Sequence, residues 1–111
     1  MTQRLEVENA ELAAAFRGAA SHVRRRLALR MVERALGAQE PPLEVPDDLP
    51  GREALAARLD SSDDEADFRR ARAAAAAVFL RRGAYEDAFY EALHARADPP
   101  AAVQEAIALT R

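Results

Sequence analysis

A chain of 111 residues, of which 50% are hydrophobic and 32% charged, has room for one domain, and this composition excludes a disordered chain. The absence of cysteine excludes a disulfide framework, a thiolate metal site and a cysteine nucleophile, and the net charge of −3 disfavours a dedicated nucleic-acid binder. The N-terminal residues lack the apolar region of a signal peptide and no apolar run reaches the length of a membrane span, so we expect a cytoplasmic protein without a membrane anchor.

The first predicted helical region covers residues 6–36. Apolar side chains recur from Leu12 to Leu27 at the i, i+4, i+7 spacing of one helix face. Past Gly18 the apolar residues move to a second face, so the region is either one long helix that changes partners or two helices. A break near Gly18 is slightly favoured, because Ser21 could cap a second helix.

Residues 37–50 form a proline-rich connecting segment. Four of the six prolines of the chain lie here, and proline fixes φ and removes a backbone donor, so the segment is predicted to be extended. Leu43, Val45 and Leu49 alternate with polar residues and should hold the segment against the helices. A short helix is predicted to follow at about 51–59.

The next predicted helix begins in a run of serine and acidic residues around Ser62. Glu65 lies three residues after Ser62, which is the spacing of a capping box. The helix should run to Arg82 and end at Gly83, since glycine readily adopts the backbone conformation that closes a helix.

A further helix over about 85–97 carries an unbroken apolar stripe and should turn back to form a helical hairpin with its predecessor. We expect Phe79 and Phe89 to meet in the seam of this hairpin. Pro99 and Pro100 break the chain before a last short helix. The predicted fold is therefore all-α, a compact bundle of five or six short helices with a C-terminal helical hairpin, in a single domain over residues 1–111.

The hairpin carries a spaced set of turn, aromatic, small and proline residues, namely Gly83, Tyr85, Ala88, Ala95 and Pro100, with Ala76 and Phe79 in the preceding helix. With these residues the stretch 69–100 resembles a single tetratricopeptide repeat. It departs from the family pattern at Arg72, where a large apolar residue is usual, and at Ala92, where an aromatic is usual. The resemblance implies two closely packed antiparallel helices and the family's usual role of binding protein partners.

Charge is segregated along the chain. Residues 1–40 carry a net charge of +2, residues 41–68 carry −7, and residues 69–111 carry +2. The simpler interpretation is that these charges neutralise one another on the folded surface. The functional interpretation is an acidic patch that meets a basic partner.

The residue types that could support catalysis are few. Glu91 and His94 have the Glu-x-x-His spacing of di-iron helical bundles, but a helical wheel directs both away from the core, and His22 has no matching glutamate. A solvated pair is the simpler interpretation. The residues around Tyr90 should form the outer face of the same helix. We therefore expect no catalytic residue, no metal site and no cofactor.

The predicted partner-binding surface lies on the helix that ends at Arg82. Its alanine-rich side should leave a shallow apolar strip, flanked by arginines that suit an acidic or carboxylate-bearing segment. The residues are Arg70, Ala73, Ala77, Leu80 and Arg81. The competing interpretation is that the N-terminal or the C-terminal helix covers this strip as part of the core.

A second candidate surface is basic. Arg26, Arg30 and Arg34 share one face of the 21–36 helix at i, i+4 and i+8, and such a stripe could bind phosphates or acids, although a solvated face is the simpler interpretation. The predicted function is a non-enzymatic helical protein-protein interaction module with a protein partner. It would act as an adaptor or as an inhibitor of the bacterial immunity or antitoxin type, with a homodimer possible. The alternative is a nucleic-acid-associated regulator that uses the arginine stripe.

Overall fold

A computed structural model of the chain describes residues 4–110, and 76% of the chain is helical. The helices are α1 (Arg4–Glu8), α2 (Ala10–Gly18), α3 (Ser21–Gly37), α4 (Leu49–Asp60), α5 (Glu65–Arg82), α6 (Tyr85–His94) and α7 (Pro99–Leu109). No strand occurs in the described range, so the predicted all-α bundle is confirmed. None of these helices combines the length and the apolarity that crossing a membrane requires.

The N-terminal region is divided into three helices, which brings the count in the described residues to seven where five or six were predicted. The favoured break after Gly18 is present, because Ala19 and Ala20 are extended. A second break falls at Asn9, whose side-chain oxygen accepts a hydrogen bond of 2.8 Å from the backbone N–H of Leu12. Asn9 thereby caps α2 by the usual mechanism of a helix N-terminus.

Two predicted caps are wrong. Ser21 is already the first residue of α3, and its N-cap, Ala20, makes no side-chain hydrogen bond. Asp64 caps α5 by accepting from the N–H of Ala66 at 3.0 Å, while Ser62 accepts from the N–H of Asp64 at 3.1 Å. The chain therefore turns at these residues and becomes helical only at Glu65.

The core is built on close approach between helices. Helix α5 packs against α3, α4 and α6, and its alanines 71, 73, 74, 76 and 77 are all buried. The largest side chains of the centre are Phe16 of α2 and Phe89 of α6, whose ring centroids lie 4.9 Å apart. Phe89 was expected to meet Phe79, but Phe79 is only half-buried, and the ring that packs against Phe89 comes from α2 instead.

The connecting segment, residues 38–48 between α3 and α4, is not helical; it turns or bends at residues 38–41 and 47–48. Leu43 is buried in the core, and its N–H donates to the carbonyl of Leu36 at 3.0 Å. Val45 also packs against the core, so two of the three predicted anchors have that role.

Candidate functional site

The predicted partner-binding strip on α5 is mostly interior. Ala73 and Ala77 are both 0% exposed and Leu80 is half-buried, so the expectation of an exposed apolar strip is wrong. The physical reason is that α5 has three helical neighbours, and alanine allows each of them to approach closely. Ala73 and Ala77 therefore cannot contact a partner, whereas part of the Leu80 side chain stays at the surface.

The two arginines that flank this strip bind the chain itself. Arg70 donates to the carbonyl of Pro41 at 2.6 Å and Arg81 donates to the carbonyl of Asp47 at 3.2 Å. Arg52 of α4 adds a bond of 2.6 Å to the carbonyl of Pro46. These arginines hold the connecting segment of the same chain through its backbone carbonyls.

An open groove lies beside this contact, where the C-terminal end of α5 meets α3, α4 and the start of α6. It has a volume of about 360 Å³. Its basic side chains are Arg25, Arg52, Arg81 and Arg82, and its apolar and turn residues are Leu29, Leu80, Gly83 and Tyr85. We call these eight residues the arginine groove. Leu80 and Arg81 belong both to the groove and to the predicted surface, whereas the other six residues were not predicted.

The arginines of the groove differ in how they are bound. Arg82 forms an ion pair with Glu53, and Arg52 donates to the carbonyls of Pro46 and Ala77. Arg25 is exposed and has no hydrogen-bond or ion-pair partner within residues 4–110. The lining contains four arginines and no acidic residue, and among the described residues only Arg82 of these four forms an ion pair, so the lining of the groove is positively charged.

The groove also has an apolar part. Leu29 is 45% exposed and is one of two large hydrophobic side chains that the structure shows as exposed. Leu80 and Tyr85, both half-buried, continue this surface towards the hairpin turn. Positive charge around an apolar patch is a combination that suits a ligand with negative charge and an apolar anchor.

A larger depression of about 440 Å³ lies near the other end of α5, but the residues that line it favour no one class of ligand. Apart from alanines it is lined by Gln39, Glu40, Arg69 and Arg70. It contains no large apolar side chain, and it places a carboxylate next to two arginines. Gln39 has a structural role, because its Nε2 donates hydrogen bonds to the carbonyls of Ala35 and Ala95 at 2.9 Å each.

The three arginines of the predicted basic stripe do not share one environment. Arg26 and Arg30 are exposed and have no partner in the described part of the chain. Arg34 forms an ion pair with Glu105 of α7 at 2.5 Å. Arg34 therefore connects α3 to α7, and two arginines of the stripe remain in solvent.

The outer face of α6 is not solvated as expected, because α1 covers it. Glu91 is only 3% exposed. Its carboxylate accepts hydrogen bonds from Arg4 at 3.0 Å and from Arg72 at 3.1 Å, and it joins α1, α5 and α6. The prediction that Glu91 points away from the core into solvent is therefore wrong, because the wheel of an isolated helix contains no information about α1 or about Arg72 of α5.

The remaining polar residues of this face are also in contact with α1. The guanidinium carbon of Arg4 lies 4.4 Å from the ring centroid of Tyr90, a cation–π distance. Nε2 of His94 lies 3.2 Å from a carboxylate oxygen of Glu8. Burial lowers the pKa of Arg4, but hydrogen bonds to Asp87 and Glu91 raise it by more, so the pKa lies above its ordinary value and Arg4 stays charged. The cluster therefore has the arrangement of a helix–helix contact.

Two further observations bear on function. No three histidine, aspartate or glutamate side chains in the range 4–110 gather as a metal site would require. No family model, no curated protein and no solved structure matches the chain.

Proposed function

We propose that the protein is a non-enzymatic interaction module whose arginine groove binds an acidic segment of a protein partner. The partner segment would carry carboxylates around one apolar side chain. A role of this kind fits an adaptor or an inhibitor of immunity type acting in the cytoplasm. The observation that carries the proposal is the juxtaposition of Arg25, which has no partner among residues 4–110, with exposed Leu29 in a groove that holds three more arginines.

The chemistry of the groove supports this ligand class. Guanidinium groups bind carboxylates with charge-assisted hydrogen bonds, and they are less strongly hydrated than ammonium groups. Arg52 and Arg81 also donate to backbone carbonyls of the connecting segment, so these groups already bind peptide oxygens within the chain. The tetratricopeptide-like pattern of the α5–α6 hairpin agrees with a partner-binding role.

The test uses synthetic probes of known chemistry. A fluorescent nonapeptide with four Asp or Glu residues around one Phe should bind the protein, and a version with Lys in place of the acids should not. Arg25→Glu combined with Leu29→Ser should weaken binding by about tenfold or more, which is the effect of losing roughly 1.4 kcal/mol. Both side chains are exposed, so this double variant should fold as the wild type does.

The matched control is Arg26→Glu combined with Arg30→Glu, which reverses two exposed charges on the same helix outside the groove. This variant should keep most of the affinity for the peptide. The proposal is wrong if the acidic peptide does not bind, or if the two double variants weaken binding equally.

The alternative function, a nucleic-acid-associated regulator, is favoured by one observation, the solvent exposure of Arg26 and Arg30 without partners among the described residues. It makes the opposite prediction for the same variants. A labelled single-stranded oligonucleotide would bind in a salt-dependent manner, and Arg26→Glu with Arg30→Glu would abolish that binding.

A further inference from the structure

The segment that precedes and begins α5, residues 60–68, has the chemistry that the arginine groove selects. Asp63, Asp64, Glu65 and Asp67 form no ion pair within the described chain. The ring of Phe68, directly after them, is 62% exposed and is the other large hydrophobic side chain shown as exposed. We call residues 60–68 the acidic segment.

The acidic segment cannot reach the groove of its own chain. Phe68 lies in the first turn of α5 and Arg81 in the last turn, thirteen residues further on. At a rise of 1.5 Å per residue their backbones are about 20 Å apart along a rigid helix. The two complementary surfaces are thus held at opposite ends of one element.

We infer that the arginine groove binds the acidic segment of a second copy of this chain, with Phe68 as the apolar anchor against Leu29 and the carboxylates facing the arginines. This inference rests on the proposed function, because it names an occupant for the same groove. Charge complementarity supports it, because residues 41–68 carry −7 while residues 1–40 and 69–111 carry +2 each. Of the five acids of the segment, Asp60 pairs with Arg72, and the other four have no ion-pair partner among the described residues.

The geometry of the contact determines how copies assemble. One surface binds a different surface on the next copy, so the contact is heterologous and leads to a ring or an open chain of copies. A nine-residue segment in a groove is at the small end of specific interfaces, below about 1,200 Å² in total. Association is therefore weak and concentration-dependent, and an acidic peptide that enters the groove displaces the neighbouring copy.

The first experiment measures the mass of the full chain by sedimentation velocity at concentrations between about 10 µM and 1 mM. The average mass should rise with concentration at about 0.05 M NaCl and return towards the monomer at about 0.5 M, where exposed charges are screened. The acidic nonapeptide should reverse the assembly, and its lysine counterpart should not.

The second experiment separates the two surfaces. Arg25→Glu with Leu29→Ser should abolish binding by the groove, and Asp63→Arg with Phe68→Ser should abolish binding by the acidic segment. All four side chains are exposed. Each double variant alone should remain monomeric. An equimolar mixture leaves one intact groove and one intact segment, so it should form a dimer and nothing larger. Arg26→Glu should associate as the wild type does.

The outcomes are distinguishable. A wild-type chain that remains monomeric while the nonapeptide binds the groove overturns self-association and leaves the proposed function standing. Association that persists in both double variants assigns the contact to another face and overturns the inference. A mixture that forms the dimer, together with a nonapeptide that dissolves the wild-type assembly, establishes it.

Discussion

Glu91 connects three helices through its carboxylate. Its carboxylate is almost fully buried and receives guanidinium groups from α1 and α5. Glu91→Gln keeps the shape of the side chain and removes its charge. We expect the free energy of unfolding to fall by about 1–3 kcal/mol in urea denaturation, because hydrogen bonds to charged groups are lost.

The control for this variant is Glu44→Gln, which removes an exposed carboxylate with no partner in the described residues. Its effect should lie within about 0.5 kcal/mol of zero. Equal effects from the two variants would contradict a structural role for Glu91.

Glu105 makes the acid stability of the protein depend on α7. The hydrogen bond from Arg34 lowers the pKa of Glu105 below its ordinary value, burial opposes this shift, and the hydrogen bond from Arg96 adds to it. A carboxylate with a lowered pKa in the folded state contributes stability that is present above its unfolded pKa and lost as the pH falls through the folded value. The wild type should therefore exceed Glu105→Gln by about 0.5–1 kcal/mol near pH 7.

This difference should narrow as the pH falls below the ordinary carboxyl value of 4.5. Urea denaturation of both proteins at several values between about pH 7 and pH 3 would measure it. A difference that stays constant over this range would show that Arg34 and Arg96 do not stabilise the charged form.

At the scale of single residues, the sequence predicted the apolar faces of the helices better than the contacts that individual side chains make. A wheel drawn on 85–97 directs Glu91 into solvent, whereas the structure buries it, since Arg4 of α1 reaches it from more than eighty residues away. The same limit applies to the arginine groove. Leu29 stands out as an apolar residue in a basic run, but its proximity to Tyr85 follows only from packing.

Among the elements, α2 and α6 meet through their aromatic rings. Phe89 is 0% exposed and Phe16 is 1% exposed, whereas Phe79 is half-buried. Phe89→Ala should cost about 3–5 kcal/mol, as large-to-small changes in a core do. Phe79→Ala should cost only about 1–2 kcal/mol, since less apolar area returns to water. Thermal and urea unfolding of the two variants would measure both, and a larger loss for Phe79→Ala would contradict the packing described.

The hairpin turn depends on one glycine. Gly83 has a φ of +80°, in the left-handed region, and its N–H and that of Ala84 donate to the carbonyls of Leu80 and Phe79. An added Cβ would meet no atom within 4 Å, so the cost of Gly83→Ala comes from the backbone alone and should be about 1–2 kcal/mol.

Gly18→Ala is the matched control for the hairpin turn. Gly18 also has open space around its Cβ position, but it is helical and its φ is not positive. This substitution should be neutral or stabilising by up to about 1 kcal/mol, as an alanine in a helix usually is. A loss of stability equal to that of Gly83→Ala would contradict the backbone explanation.

Some helix ends can be predicted from sequence patterns alone. Gly83 ends α5 and proline interrupts the chain at 37–50, because these residues restrict the backbone whatever surrounds them. Caps were less predictable. Asn9, Ser62 and Asp64 all have side chains that can accept a backbone N–H, and only the path of the chain decides which of them begins a helix.

Over the whole molecule, the acidic middle is bound to its basic flanks in two ways. Carboxylates pair with arginines across helices, as in Glu53 with Arg82 and Asp60 with Arg72. The connecting segment is held through its carbonyls instead, which leaves its own carboxylates in solvent. The charge segregation of the sequence is thus only partly neutralised by folding, and the arginine groove and the acidic segment are two of the regions that keep charges without an ion-pair partner in the described residues.

The arginine contacts to the connecting segment should control its local opening. Arg52→Lys combined with Arg70→Lys keeps both charges but removes the planar groups that reach Pro46 and Pro41. The N–H of Leu43, which donates to Leu36, should then exchange with solvent about tenfold faster, while the amides at the centre of α5 keep their rates. The matched control is Arg58→Lys with Arg69→Lys, two exposed arginines of the same helices with no partner in residues 4–110. Unchanged exchange at Leu43 in the first variant would mean that the apolar anchor alone, rather than the arginines, holds the segment in place.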